Sequence, residues 1–337
     1  RLGPEHPNTV VSINNLALLY KAQGRYAEAK PLHLRSFEIL ERTLGAAHPK
    51  TLTSLNNLAL IHGAQGSHAE AVPLQLRALE VCERVLGPEH PLTLTILSQL
   101  AVFYKAQGKY TQVAPLLRRC LTVRERTLGT EHPQTLTSVL NLASFYRTQG
   151  EHADAEPLFL RFLDSSERTL GPEHPKTLTG LNQLGLMYKK LGQYADAEPL
   201  YLRSIAVRER TLGEEHPSTL IGLNNLASLY SAQGRYADAE SLYRRVHQVS
   251  ERTLGAEHPK TLNVLNSLAS AYKSQGSYAD AEPVLRSVLE IRERVLGPEH
   301  PDTLVSVNNL AGVYRSLGQY TDSEPLQLRA LESLDHT

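Results

Sequence analysis

Neither sign of charge is in excess: 35 Lys and Arg balance 35 Asp and Glu over 337 residues. A chain without net charge has no general attraction for polyanions, so neither nucleic acid nor a membrane surface is expected as a partner. No stretch approaches 18 uninterrupted apolar residues, and no membrane-spanning helix is expected. No secretory leader is visible, and the chain opens on Arg1 already inside a repeated phrase, so it is expected to be a piece of a longer protein. Cysteine is nearly absent: Cys82 and Cys120 stand at unmatched repeat positions and read as small buried residues rather than a disulfide, which fits a reducing, cytoplasmic setting. There is no phosphate-binding loop, CxxC pair or Ser-His-Asp arrangement, and no linker or insertion that could build a site of its own. No enzyme activity and no cofactor are therefore expected.

What fills the chain instead is one phrase written eight times. The glycines of its LG pair stand at Gly3, Gly45, Gly87, Gly129, Gly171, Gly213, Gly255 and Gly297, always 42 apart. A second series, from Gly24 to Gly318, keeps the same spacing. A period of this size belongs to a stacked array rather than one globular core. Eight units follow, approximately 3–44, 45–86, 87–128, 129–170, 171–212, 213–254, 255–296 and 297–337, together one domain spanning 1–337.

Two helices are expected in each unit. The first runs from about Thr9 to Gln23, with Ile13, Leu16, Ala17 and Tyr20 on one face at i, i+3, i+4, i+7 spacing. Pro7 suits its first turn and Gly24 its end. The second runs from about Tyr26 to Leu44, with Ala29, Leu32, Phe37, Leu40 and Leu44 on its buried side and Gly45 as its stop. Pro31 lies inside it, and proline recurs there in every unit except at Ser241, so a slight bend is expected. The position of Ala17 is small in every unit, and that of Ala29 in nearly all. Helices crossing at about 8–10 Å need such residues at their contact.

Ala17, Tyr20, Gly24, Tyr26 and Ala29, in that order, resemble the motif of a tetratricopeptide repeat. The 42-residue length and the phrases LNNLA, VLEIRER and LGPEHP are more narrowly similar to the repeats of kinesin light chains and related bacterial arrays. The coiled coil of a kinesin light chain is absent. The resemblance implies an all-α fold: an α-solenoid of eight antiparallel helix pairs in a right-handed superhelix. It also implies that first helices line a concave groove, which typically binds an extended peptide.

Helix geometry picks out the surface that would do so. Val11, Asn14, Asn15, Leu18, Lys21 and Ala22 fall opposite the packing face of the first helix. Two polar series run along this stripe. The amides are Asn15, Asn57, Gln99, Asn141, Gln183, Asn225 and Asn309, with Asn14, Asn56, Asn182, Asn224, Asn266 and Asn308 beside them. Amides both donate and accept, so such a ladder can hold a peptide backbone; equally it can bond to neighbouring helices and pack the array. The cations are Lys21, Lys105, Arg147, Lys189, Lys273 and Arg315, with Lys190 adjacent. They fit an acidic peptide, and they also suit the negative end of a helix dipole.

Two tempting readings are set aside. Histidine precedes proline in all eight units, from His6 to His300. Zinc needs its ligands about 2 Å away, whereas residues one repeat apart are separated by about 8–10 Å or more. No metal site is expected, and loop hydrogen bonding before the helix start is. Pairs such as Glu41–Arg42 read as solvated surface with local ion pairs. The expected function is thus a protein-interaction scaffold holding an extended, acidic peptide. The alternative is an assembly or sensor module of a larger protein, acting through its ends or convex face, with self-association through uncapped ends.

Overall fold

A computed structural model describes the backbone from Pro7 to Asp335 and side chains from Thr9 to Glu332. Gly3 and His6 lie outside the described residues. Among the described residues are sixteen helices and no strand. The first helices of the units are α1 (Pro7–Ala22), α3 (Pro49–Ala64), α5 (Pro91–Ala106), α7 (Pro133–Gln149), α9 (Pro175–Lys190), α11 (Pro217–Ala232), α13 (Pro259–Gln275) and α15 (Pro301–Ser316). The second helices are α2 (Tyr26–Leu44), α4 (His68–Val85), α6 (Tyr110–Leu128), α8 (His152–Thr169), α10 (Tyr194–Leu212), α12 (Tyr236–Leu254), α14 (Tyr278–Leu296) and α16 (Tyr320–Asp335). The chain falls into two compact units divided between Thr169 and Leu170. In each, every helix packs on the next one in sequence. The fold is an α-solenoid built of helix pairs.

The HP dipeptide explains where the first helices begin. From α3 to α15 each starts at its proline, whose missing N–H would have had no partner in a first turn. The preceding histidine is the cap: His48 Nδ1 accepts from the Lys50 N–H at 3.1 Å, and His90, His132, His174, His216, His258 and His300 do the same two residues on. A buried threonine locks this loop down. Thr93 Oγ1 donates to the Gly87 carbonyl at 2.8 Å, and Thr177, Thr219, Thr261 and Thr303 repeat the bond. The glycine itself sits at positive φ, +85° at Gly45, where a side chain would be strained.

The small residues lie where the helices touch. Ala59, Ala143, Ala227 and Ala269 on first helices, and Ala71, Ala155, Ala239 and Ala281 on second ones, have no exposed surface. At Gly185, where the other repeats have alanine, a Cβ would lie 3.0 Å from the ring of Tyr201. The interior prolines sit at the sixth residue of their helices and face solvent, so the carbonyl each leaves unpaired can reach water.

Three expectations need correction. Leu16 is 40% exposed although its equivalents from Leu58 to Leu310 are buried. Leu44 is 43% exposed, as are Leu128, Leu212 and Leu254 at the same position to a similar degree. The Glu–Arg pairs do not bond locally. Glu83 pairs with Arg119 at 2.6 Å and Glu125 with Arg161 at 2.6 Å, each in the next hairpin, while Arg294 turns back to Glu257 at 2.7 Å. They form ladders between repeats, each exposed rung contributing about 0–1 kcal/mol.

Candidate peptide-binding face

Within each unit the first helices lie closer together than the second ones. α3 touches α5, and α9, α11, α13 and α15 touch in sequence, while no two second helices approach to the same extent among the described residues. The first helices therefore line the inner face. The position of Val11 opens to solvent along it as Thr53, Thr95, Thr179, Ile221, Asn263 and Val305.

The two amide series part company here. Asn15 and Asn141 are exposed, and Asn57, Gln99, Gln183, Asn225 and Asn309 are half-buried, all on the inner face. The neighbouring series turns into the seams between helices. Asn56 is buried and accepts from Gln75 Nε2 at 2.8 Å. Asn182 is buried against Arg208, and with its amide oxygen turned to the guanidinium it accepts from Nη1 at 2.7 Å; Asn266 meets Arg292 in the same way at 2.8 Å. Asn14 and Asn224 are half-buried, and Asn308 is exposed.

The cations divide similarly. Lys105, Lys190, Lys273 and Arg315 are exposed, and Lys21, Arg147 and Lys189 are half-buried. Lys189 crosses from α9 to α11, donating to Ser228 Oγ, and burial lowers its pKa. Lys273 leans onto α15 in the same sense: a Cβ at Gly312 would lie 3.1 Å from its Nζ. The gap in the series at Gly63 also has a cause, since a Cβ there would fall 2.2 Å from the ring of Phe103.

Sequence reading missed a third series. Arg124, Arg208 and Arg292 are 84 residues apart, twice the repeat, at the position of core residue Leu40. All three are buried, at 8%, 6% and 2% exposure. Arg124 Nη1 donates to Ser138 Oγ at 2.6 Å, and Arg208 Nη1 to the Ser218 carbonyl at 3.0 Å. Arg292 donates to the Asp302 carbonyl, Ser306 Oγ and Asn263 Oδ1 at 2.5–2.7 Å. Burial lowers the pKa of Arg208 and Arg292. The doubled period was the available signal. Where Ser250 takes this position, a cavity of about 410 Å³ opens between α11, α12 and α13. Leu220, Ile221, Asn224, Val246, Asn263, Val264 and Ser267 line it, with Glu215, Thr253, Leu254 and Lys260 around them.

Among the described residues no cluster of His, Cys, Asp or Glu could hold a metal ion, and no helix is long and apolar enough to cross a membrane. Cys82 and Cys120 are free and buried, and burial pushes the Cys82 thiol up to about 11.

The tetratricopeptide repeat model matches residues 8–80, 51–126, 136–210, 178–248, 218–294 and 269–335. The chain belongs to the tetratricopeptide repeat family. No curated protein matches it. Among solved structures, the nearly identical kinesin-light-chain TPR-like repeats of Podosopora anserina are 32% identical, with 61% of this chain and 98% of that one covered and a TM-score of 0.54. BtubC (BKLC) from P. vanneervenii is 22% identical over 69% of this chain and 94% of its own, with a TM-score of 0.59. The apo quorum sensor NprR of B. thuringiensis is 14% identical over 95% and 87%, with a TM-score of 0.68, a likeness of fold alone. The array is thus of the kinesin-light-chain-like type, and tetratricopeptide repeats are a protein-interaction scaffold rather than a catalytic one.

Proposed function

We propose that the protein holds an extended, acidic peptide along the inner face of its first helices. One observation carries this reading: amide side chains stand at one position of that face in seven of the eight repeats, exposed or half-buried, and the position six residues on carries a cation in six of the eight. An extended chain offers a donor and an acceptor at every residue, and an amide can meet either. Lys105 and Arg147 in the first unit, and Lys273 and Arg315 in the second, would meet carboxylates of the ligand. Lys189 contributes less, because it already donates to Ser228.

A peptide-library selection tests this. Wild type is compared with K105E/R147E and K273E/R315E variants, each checked for unchanged helicity. Acidic peptides should be enriched on wild type and bind a variant about tenfold more weakly, about 1.4 kcal/mol. Sequences enriched equally on all three would sink the acidic reading; no enrichment on any would sink the groove.

A second reading, assembly through the ends, has its own support. Leu16 and Leu19 on α1 and Leu331 on α16 are exposed, whereas Leu58, Ile61 and Leu289 at the same positions of other repeats are buried. Light scattering over a dilution series should show a concentration-dependent mass; a constant monomer mass counts against it.

A further inference from the structure

The cavity at Ser250 stands where the neighbouring seams hold an arginine. Ser250 is buried, 42 residues after Arg208 and 42 before Arg292. Arg208 shows the smallest set of contacts that holds such a group. Its guanidinium meets the Ser218 carbonyl and the Asn182 amide oxygen, both neutral. The seam between α11 and α13 keeps the counterparts of both acceptors. Asn224 is equivalent to Asn182, and Lys260 to Ser218. Both line the cavity, and Asn224 Oδ1 is buried without a hydrogen-bond partner. A buried acceptor left unpaired costs about 1–3 kcal/mol, so this seam gains from a donor.

We propose that this cavity is a guanidinium socket and takes an arginine side chain from a bound peptide. The head donates to Asn224 Oδ1 and the Lys260 carbonyl. The methylene stem lies among Ile221, Val246 and Val264, which are apolar walls of the cavity. Its volume of about 410 Å³ accommodates a whole arginine side chain. The surrounding charge permits a cation. The Lys21 position is Ser231 in this repeat, so the inner face has no cation at the end of α11. At the rim, Glu215 pairs with Arg252, and Lys260 is exposed to solvent. The inference deepens the peptide-binding reading: a ligand acidic elsewhere carries one arginine opposite the sixth repeat.

The socket is tested on the full chain without any peptide, so its failure is separable from that of the groove. The probe is agmatine, an alkyl guanidine, with n-butylamine and leucinamide as comparators. Agmatine should raise the melting temperature saturably and shift the NMR signal of the Asn224 side-chain amide. N224A should weaken this response about tenfold. S250R should abolish it, because the new side chain fills the socket from within. R208S should gain a second response at its own seam. An equal response to leucinamide would make the cavity a plain apolar pocket and overturn the proposal. So would a wild type unmoved by agmatine, or an N224A response equal to wild type.

Discussion

Phe103 decides what residue 63 can be. Its ring comes down on α3 where six other repeats carry a lysine or arginine on the first helix, and with the ring in this place only glycine leaves room. Glycine inside a helix is normally worse than alanine by about 1 kcal/mol, so alanine should be favoured wherever the space exists. Here it does not. G63A should therefore lower stability by about 1–2 kcal/mol despite better propensity, as overpacking does. Chemical denaturation of G63A beside G63A/F103L measures this: the double variant should recover the loss. A stabilised single variant would show that the ring yields freely. Local propensity thus loses to a contact 40 residues away, which is why a basic series read from sequence has a hole in it.

Between elements, the hairpins are tied by hydroxyls and carboxylates rather than by apolar contact alone. Tyr230 donates to Glu198 at 3.1 Å and Tyr272 to Glu240 at 2.8 Å, each one hairpin back. The hydrogen bond from Arg244, then that from Tyr272, holds the Glu240 carboxyl below its usual range. Burial acts to raise Glu198, but Arg235, Gln233 and Tyr230 together keep it low. A carboxylate depressed by folding stabilises above its unfolded pKa of about 4.3, and that stability is lost as pH falls through the lower folded value. Melting temperature should accordingly drop on acidification below about pH 4.3, and E240Q should flatten that slope. An unchanged slope in E240Q would mean the carboxylate contributes nothing there. These ties were hidden in the sequence because the partners are 32 residues apart and fit no helical spacing.

At the scale of the whole molecule, a repeat without insertions makes its units interchangeable. Removing residues 213–254 joins Leu212 to Gly255 in unbroken register. Arg208 would then face Lys260 where it now faces Ser218. In arrays of this kind each repeat contacts only its neighbours, so stability is close to a sum of local terms. The shortened chain should fold, with proportionately less helical signal by circular dichroism and a melting temperature a few degrees lower. A molten or aggregated product would show that the repeats are individually fitted.

Sequence alone determined the helix pairs, their starts at HP and stops at glycine, and the small residues at the crossings. Each follows from backbone sterics or from periodicity within one helix, and both are local. It also marked the stripe of the first helices that the structure leaves open. Which side chains on that stripe stay available was settled only by the packing of one hairpin on the next. Asn56 and Asn182 are absorbed into seams while Asn57 and Asn225 remain on the face, although each pair of series is adjacent in sequence. Buried arginines at the position of a core leucine, and the cavity where one is replaced by Ser250, belong to the same class. A side chain's fate there depends on the residue 10 to 30 positions away that meets it across the seam, and no one-dimensional period specifies that meeting.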